Sequence, residues 1–327
     1  MHYFAVDSGT TNSRVWVIQE GEVLAKRQVP VGVRNTAIDG NHRALIDGIR
    51  QAILELKSES SLGILPRFAI AAGMITSNLG LHEVKHVQAP AGIGELAAGI
   101  QTRNFVEIEH TPFYFIPGIR SGPYPATLAN VNSIDIMRGE ETEIMGSLHQ
   151  FELQGPLLYV HLGSLTKLIH VDSDGRISAG ASTLAGELIH SVQQQTILRS
   201  SLPENPDYSF NEEFFDEGWS ACAAHGLTRA LYLVRILNLN SSFHKEDIAS
   251  FFLGVILRQE FYCLESFLNP AEIAKVILSG LPHLHPAWNH ALRQRHCSVR
   301  SLTAEETEKA FLTGLHRIFT NRAQSFD

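Results

Sequence analysis

A repeated layout constrains this chain more than any single motif. Tyr3–Ser8 and Arg14–Gln19 are short, apolar, β-branched runs joined by Gly9-Thr10-Thr11-Asn12-Ser13, and a third run, Glu22–Val29, follows the turn at Glu20-Gly21. The same order of strand, turn, strand, turn and strand returns at Leu157–Leu162, Lys167–Val171 and Arg176–Ala179, around the turns Gly163-Ser164-Leu165-Thr166 and Ser173-Asp174-Gly175. The residues differ; the layout is shared. Helical stretches follow each meander, so the expected fold class is α/β, a duplicated domain with a cleft between its halves. The length of 327 residues agrees with this, since roughly 150 residues make one domain with a core of its own. The break Gln154-Gly155-Pro156 sets the expected division at 1–153 and 154–327, with the terminal helix at 304–320 free to fold back onto the first domain.

Between the meanders the apolar spacing predicts the remaining elements. Ala44, Ile46, Ile49, Ile53 and Leu56 give a helix over Arg43–Leu56. Arg67–Ala72 reads as a buried strand, Ile93–Thr102 as a short helix, and Phe113–Ile116 as a strand before the Pro- and Gly-rich loop Pro117–Pro125. Glu140–His149 is a helix of good formers. The second half predicts helices at Leu184–Leu198, Asn211–Ala224, Leu227–Leu237 and Glu246–Phe267, then a strand at Ala274–Leu278. A helix at Pro286–Arg295, a strand at Ser298–Leu302 and a helix at Glu305–Phe319 finish the chain.

Composition removes whole classes of function. With 26 Lys and Arg against 34 Asp and Glu, a net charge of −8, and no cluster of five or six cations, nucleic acid is excluded as the main partner. Apolar runs such as Phe68–Ile75 fall far short of the roughly 18 residues that span a bilayer, so no membrane partner is expected. Met1–Val6 leads directly into a strand without the basic and long apolar regions of a secretory signal, and the expected location is the cytoplasm. Cys222, Cys263 and Cys297 are odd in number and lack C-x-x-C spacing, which predicts reduced thiols rather than disulfides or a zinc site. His283, His285 and His290 lack the i,i+4 pairing backed by a carboxylate that would mark a metal site.

The two first turns carry the chemistry. In Asp7-Ser8-Gly9-Thr10-Thr11-Asn12, a glycine permits close approach of the backbone, consecutive hydroxyls offer donors to a polyphosphate, and a strand-end aspartate can hold Mg²⁺ directly or through water. The matching turn, Gly163-Ser164-Leu165-Thr166-Lys167, can grip the other side of the same polyphosphate. Lys167 suits a phosphate, a substrate carboxylate or a solvated strand edge, and the residues themselves leave these open.

Four further segments carry a resemblance to a known family. Ala72-Gly73-Met74-Ile75-Thr76-Ser77-Asn78-Leu79-Gly80 is similar to an A-G-M-x-x-S-N-x-G segment, and Pro90-Ala91-Gly92 to the loop after it. Ile116-Pro117-Gly118 matches an I-P-G-x element, and Asp135-Ile136-Met137-Arg138-Gly139-Glu140-Glu141-Thr142-Glu143 nearly completes D-V-M-R-G-E-E-T-Q. Together with the Asp7 turn these resemble the 2-dehydro-3-deoxygalactonokinases, within the actin/hexokinase/heat-shock ATPase superfamily of two ribonuclease-H-like domains. The second turn departs from the family's G-T-H-x-K-W, having Leu165 and Leu168 for the histidine and tryptophan.

The resemblance implies an ATP- and Mg²⁺-dependent kinase that phosphorylates the terminal hydroxyl of a 2-keto-3-deoxy aldonic acid, foremost 2-dehydro-3-deoxygalactonate. Its partners are then a nucleotide and a small sugar acid, with a homodimer allowed for. Asp7, Gly9, Thr10, Thr11, Asn12, Gly163, Ser164, Thr166, Ser279 and Gly280 are the nucleotide-binding candidates, with Asp7 also the metal ligand. Met74, Ser77, Asn78, Arg138 and Lys167 are the substrate candidates, Asn78 alternatively capping a helix from Leu79. Glu140 and Glu141 at a helix start are the candidate bases, followed by Asp135. Two other functions remain in view: a phosphohydrolase of the same superfamily, and a nucleotide-binding sensor without catalysis. Keeping Asp7, Glu140 and Glu141 together speaks against the sensor, which has no use for a base.

Overall fold

The computed structural model describes residues 1–59, 66–268 and 274–324. Its fold is mixed α/β, in two compact units. One unit comprises Met1–Gly155, Asp172–Ala179 and the chain from Glu306 onward, and the other Pro156–Val171 and Gly180–Glu305.

The first unit opens with the meander β1 (His2–Ser8), β2 (Ser13–Gln19) and β3 (Glu22–Val29), then α1 (Val33–Asp39) and α2 (Arg43–Ser58). β4 (Ala69–Gly73), β5 (Val87–Gln88), α3 (Ile93–Ala98), β6 (Gln101–Phe105), β7 (Thr111–Phe115), β8 (Ile119–Ser121), β9 (Asp135–Met137) and α4 (Glu140–Gln150) follow. The strands form a sheet in the order β3-β2-β1-β4-β7-β6 and a smaller one, β5-β8-β9. β4 is buried along its whole length, as a central strand parallel to both neighbours must be. Leu45, Ile49, Ala52, Ile53 and Leu56 of α2 lie on one helical face and close the core over Phe4, Val6, Val15 and Val17.

The second unit repeats the opening with β10 (Leu157–Leu162), β11 (Thr166–Val171) and, from Gly180 on, β12 (Ile177–Thr183). Then come α5 (Ala185–Gln195), α6 (Glu212–His225), α7 (Leu227–Asn240), α8 (Lys245–Phe267), β13 (Lys275–Gly280), α9 (His285–Arg293) and β14 (Ser298–Ser301). The sheet order is β12-β11-β10-β13-β14. α8 is buried on all sides from Ile248 to Leu257, so it runs through the core instead of across the surface. Asn211 caps α6 by accepting a bond from the Phe214 amide. From Glu306 on, the last helix, α10 (Ala304–Gln324), belongs to the first unit, where Trp16 Nε1 donates to Glu308 at 3.1 Å.

The first meander and the long helices lie close to where the apolar spacing places them; in the second meander the strand expected at Arg176–Ala179 runs on to Thr183. The helix expected over Ile93–Thr102 stops at Ala98, and Gln101–Phe105 pair with β7 instead. Gln101 to Asn104 are all exposed on an edge strand, so no apolar alternation signals them. No helix among the described residues is long and apolar enough to cross a membrane, and all three cysteines are free.

Candidate functional site

The first turn is built by the sheet and fixed by α1. Gly9 N donates to Asn12 O at 2.9 Å, closing the turn. The Gly9 and Thr10 carbonyls accept from Val33 N and Arg34 N, at 3.1 and 2.9 Å. The N-terminal amides of α1, which lack partners within their own helix, thus anchor the turn by its oxygens. Thr10, Thr11 and Asn12 are left exposed. Asp7, one residue inside the strand end, pairs with Ala72 of β4 and Arg14 of β2. Its side chain keeps 24% of its surface and meets Arg14 Nη1 at 3.4 Å.

β4 ends beside it in Gly73, with a positive φ of +87°, whose Cβ position lies 3.0 Å from Asp7 Oδ1. Gly139, immediately before α4, packs on Gly73. Asp7, Gly73, Gly139 and Glu140 therefore converge.

The two glutamates that begin α4 differ in surroundings. Glu140 is half-buried, and its Oε2 accepts from Arg138 N at 3.0 Å. Glu141 is fully buried; both of its oxygens accept from Gly139 N at 2.9 Å, and Thr142 Oγ1 donates to Oε1 at 3.3 Å. Burial, with the neighbouring Glu140 charge, pushes the Glu141 carboxyl up to about 7 against the pull of those hydrogen bonds. Asp135 lies at the far end of β9 from Gly139, paired with Ser121.

Arg138 acts as a strut. Nη1 donates to Thr76 Oγ1 and Nη2 to Val84 O, both at 2.8 Å, which fixes the segment after β4 to the start of α4. Ser77 is buried and donates to Met74 O at 2.7 Å, while Met74 packs against the core. Asn78 is exposed in a turn, and no helix starts at Leu79, so it caps none.

In the second unit the register repeats that of the first. Leu162 pairs with Gly280 as Ser8 pairs with Gly73, and Gly280 has a φ of +86°. The Ser164 carbonyl accepts from Glu187 N at 2.8 Å, so α5 anchors this turn as α1 anchors the other. The turn is one residue shorter, three residues separating Leu162 from Thr166 where four separate Ser8 from Ser13. Ser164 is exposed and Gly163 half-buried. Thr166 and Lys167 are buried, Lys167 Nζ donating to Ser182 Oγ at 3.2 Å.

At the position matching Asp7 stands His161, between Lys167 and Ser279. Its Nδ1 lies 3.1 Å from the buried Ser279 hydroxyl, and its Nε2 is 3.3 Å from the Cβ position of Gly163. Residue-type patterns passed over His161, although it precedes Gly163 by the same two residues that separate Asp7 from Gly9. A cavity of about 280 Å³ opens beside α5 and the turn after β13, lined among others by Ile189, His190, Gln193, Leu281 and His283. Burial lowers the pKa of His283, with Asp207 opposing. Among the described residues, no group of three or more His, Cys, Asp or Glu side chains could hold a metal ion.

Comparison with known proteins shows the family. The chain is 26% identical over 321 residues to a protein of Rhizobium meliloti (strain 1021) named as a 2-dehydro-3-deoxygalactonokinase, with 97% of each covered. It is 24% identical over 324 residues to the 2-dehydro-3-deoxygalactonokinase of Escherichia coli (strain K12), again with 97% of each covered. A crystal structure of a protein from Sinorhizobium meliloti assigned to the same enzyme class superposes with a TM-score of 0.73 at 24% identity over 96% of each chain. The activator of the 2-hydroxyisocaproyl-CoA dehydratase from Clostridium difficile, with bound ADPNP, shares the fold at a TM-score of 0.53 and 10% identity, over 100% of this chain and 97% of that one. Residues 7–318 match the family described as 2-keto-3-deoxy-galactonokinase; the chain belongs to that family, and with it to the phosphotransferases that use an alcohol as acceptor.

Proposed function

We propose that the protein transfers the γ-phosphoryl group of ATP to the terminal hydroxyl of a 2-keto-3-deoxy aldonic acid, 2-dehydro-3-deoxygalactonate foremost. The observation that carries the reading is the convergence of Asp7, Gly73, Gly139 and Glu140 beside an exposed hydroxyl turn, in a chain of the 2-keto-3-deoxy-galactonokinase family. The proposed domains, 1–153 and 154–327, are two copies of a ribonuclease-H-like domain of the actin-like ATPase type. The matched strand order, register and positive-φ glycines support that duplication.

Phosphoryl transfer asks for positioning and for neutralisation of charge on the transferred group. The reading gives Gly9 to Asn12 and Gly163, Ser164 and Gly280 to the phosphates, and the cavity beside α5 to the nucleoside. His161 joins them on the register argument. The part-exposed Asp7 carboxylate would hold Mg²⁺, which would supply neutralisation of the charge developing on the transferred group. Glu140 is the base: it accepts the hydroxyl proton as the hydroxyl oxygen bonds to phosphorus and the bond to ADP breaks. Glu141, sealed under Gly139, holds the start of α4 in place. Met74, Ser77, Asn78 and Arg138 form the sugar-acid side, Arg138 by rigidifying the loop that presents Asn78, while Lys167, buried and bonded to Ser182, stays with the second turn.

ATP consumption should be measured on 2-keto-3-deoxygalactonate, 2-keto-3-deoxygluconate and neutral hexoses. The expected result is turnover that depends on a keto-deoxy acid. Equal turnover with no acceptor would replace the kinase by a phosphohydrolase, and no turnover together with no Mg·ATP-induced rise in melting temperature would remove both.

A further inference from the structure

Glu260 is a carboxylate in the core of the second unit, 6% exposed, on a helix where Ile256, Leu257 and Leu264, three to four residues away on the same face, are buried and apolar. An ionised group there carries a desolvation cost that a leucine would not, so its surroundings should show what it holds. Thr183 Oγ1 donates to Glu260 Oε2 at 2.6 Å, and the Thr166 hydroxyl bonds to the same carboxyl. Burial nonetheless pushes the carboxyl up to about 7.

Both hydroxyls belong to residues that frame the second turn. Thr166 is the first residue of β11, directly after Leu165, whose carbonyl accepts from Gly163 N at 3.0 Å. Thr183 ends β12, and its Oγ1 is the acceptor for Ala185 N at the start of α5, 3.4 Å away. Two residues further on, Glu187 N anchors the Ser164 carbonyl at 2.8 Å. One side chain from α8 thus grips the strand that leaves the turn and the strand end that launches the helix beneath it.

We propose that Glu260 is a positioning residue for the nucleotide, setting the Gly163–Thr166 turn against the N-terminus of α5 through the hydroxyls of Thr166 and Thr183. The inference rests on the reading above that this turn receives nucleotide phosphate. Glu260 touches no substrate; its effect passes through the turn. Its loss should therefore weaken the nucleotide and leave the sugar acid alone, a split that a general loss of packing would not produce.

The test compares wild type, Glu260→Gln and Thr183→Val for the KM of Mg·ATP, the KM of the sugar acid, the melting temperature, and the melting shift induced by Mg·ADP. Both variants should raise the KM of Mg·ATP by about tenfold, the usual scale for losing a hydrogen bond to a charged group, and reduce the Mg·ADP shift. The KM of the sugar acid should stay within about twofold of wild type. If Glu260→Gln does not fold, Thr183→Val decides alone, since it removes the same bond from the other side. Unchanged KM for Mg·ATP in the folded variants overturns the proposal, as does an equal rise in both KM values that tracks a fall in melting temperature. Wild type without saturable use of Mg·ATP overturns the functional reading and this inference together; saturable wild type with indifferent variants overturns this inference alone.

Discussion

Gly73 and Gly139 meet backbone to backbone: a Cβ on Gly139 would stand 3.3 Å from the Cα of Gly73. Nothing larger than hydrogen fits comfortably between the end of β4 and the start of α4. That spacing holds Asp7, which abuts Gly73, near Glu140, which follows Gly139.

Gly139→Ala should disturb both stability and chemistry. Its φ of +109° strains any side chain, and the new methyl presses on Gly73, so a loss of about 1–3 kcal/mol is expected in urea unfolding. Gly94→Ala is the control, for its Cβ would meet nothing within 4 Å. A Gly139→Ala protein as stable and active as that control would show that the contact does not set the site.

Asp7→Asn should abolish turnover and leave melting nearly unchanged. The side chain is partly exposed and its ion pair with Arg14, at 3.4 Å, is of the kind worth roughly 0–1 kcal/mol. Charge neutralisation in the transfer step is a larger demand. Melting curves and steady-state rates of the variant check both halves.

Glu140→Gln keeps the shape that accepts the Arg138 amide and removes the proton acceptor. A fall in kcat of about 10²–10⁴ is expected, with a smaller change in the KM of the sugar acid. Asp135→Asn, at the far end of β9, should cost far less. The reverse order of losses would move the base to Asp135.

Glu141 should reveal itself through pH and stability. Its carboxyl is raised to about 7 in the fold, so the native state binds that proton more tightly than the unfolded chain does. The resulting stabilisation is complete below the unfolded value near 4.5 and is lost as pH rises through about 7. Glu141→Gln lacks this dependence. Its melting temperature relative to wild type should therefore climb between pH 5 and pH 8; a difference that stays flat or falls would contradict the buried, proton-retaining carboxyl.

What the sequence disclosed follows physical lines. Strands with alternating or continuous apolar faces, β1, β2 and β10, and the helix carrying Ile49 and Ile53 are visible because burial imposes a period. β6 and β9 are not, since Gln101 to Asn104 are exposed and a three-residue strand is too short to have one. At the site, Asp7 and Gly9 were legible from turn chemistry. The different surroundings of Glu140 and Glu141 were not: adjacent helical residues point about 100° apart, and only the packing around α4 decides which one turns inward. Glu260 was hidden for a related reason: nothing in the sequence separates it from the exposed charges of α8, and its hydroxyl partners lie 77 residues away at Thr183 and on β11.

α10 has a consequence for how the molecule comes into being. Trp16, in the second strand of the chain, is only 1% exposed, and it is covered by Glu308 and Phe311 from the last helix. Gly146 of α4 likewise presses on Ala310 and Gly314. A ribosome delivers those partners only after the entire second unit has been made. The amino-terminal unit thus waits through most of its own translation with Trp16 uncovered. Any nascent chain stopped before Ala304 would present that indole and the bare flank of α4 to chaperones and proteases, making α10 the element that closes the first unit.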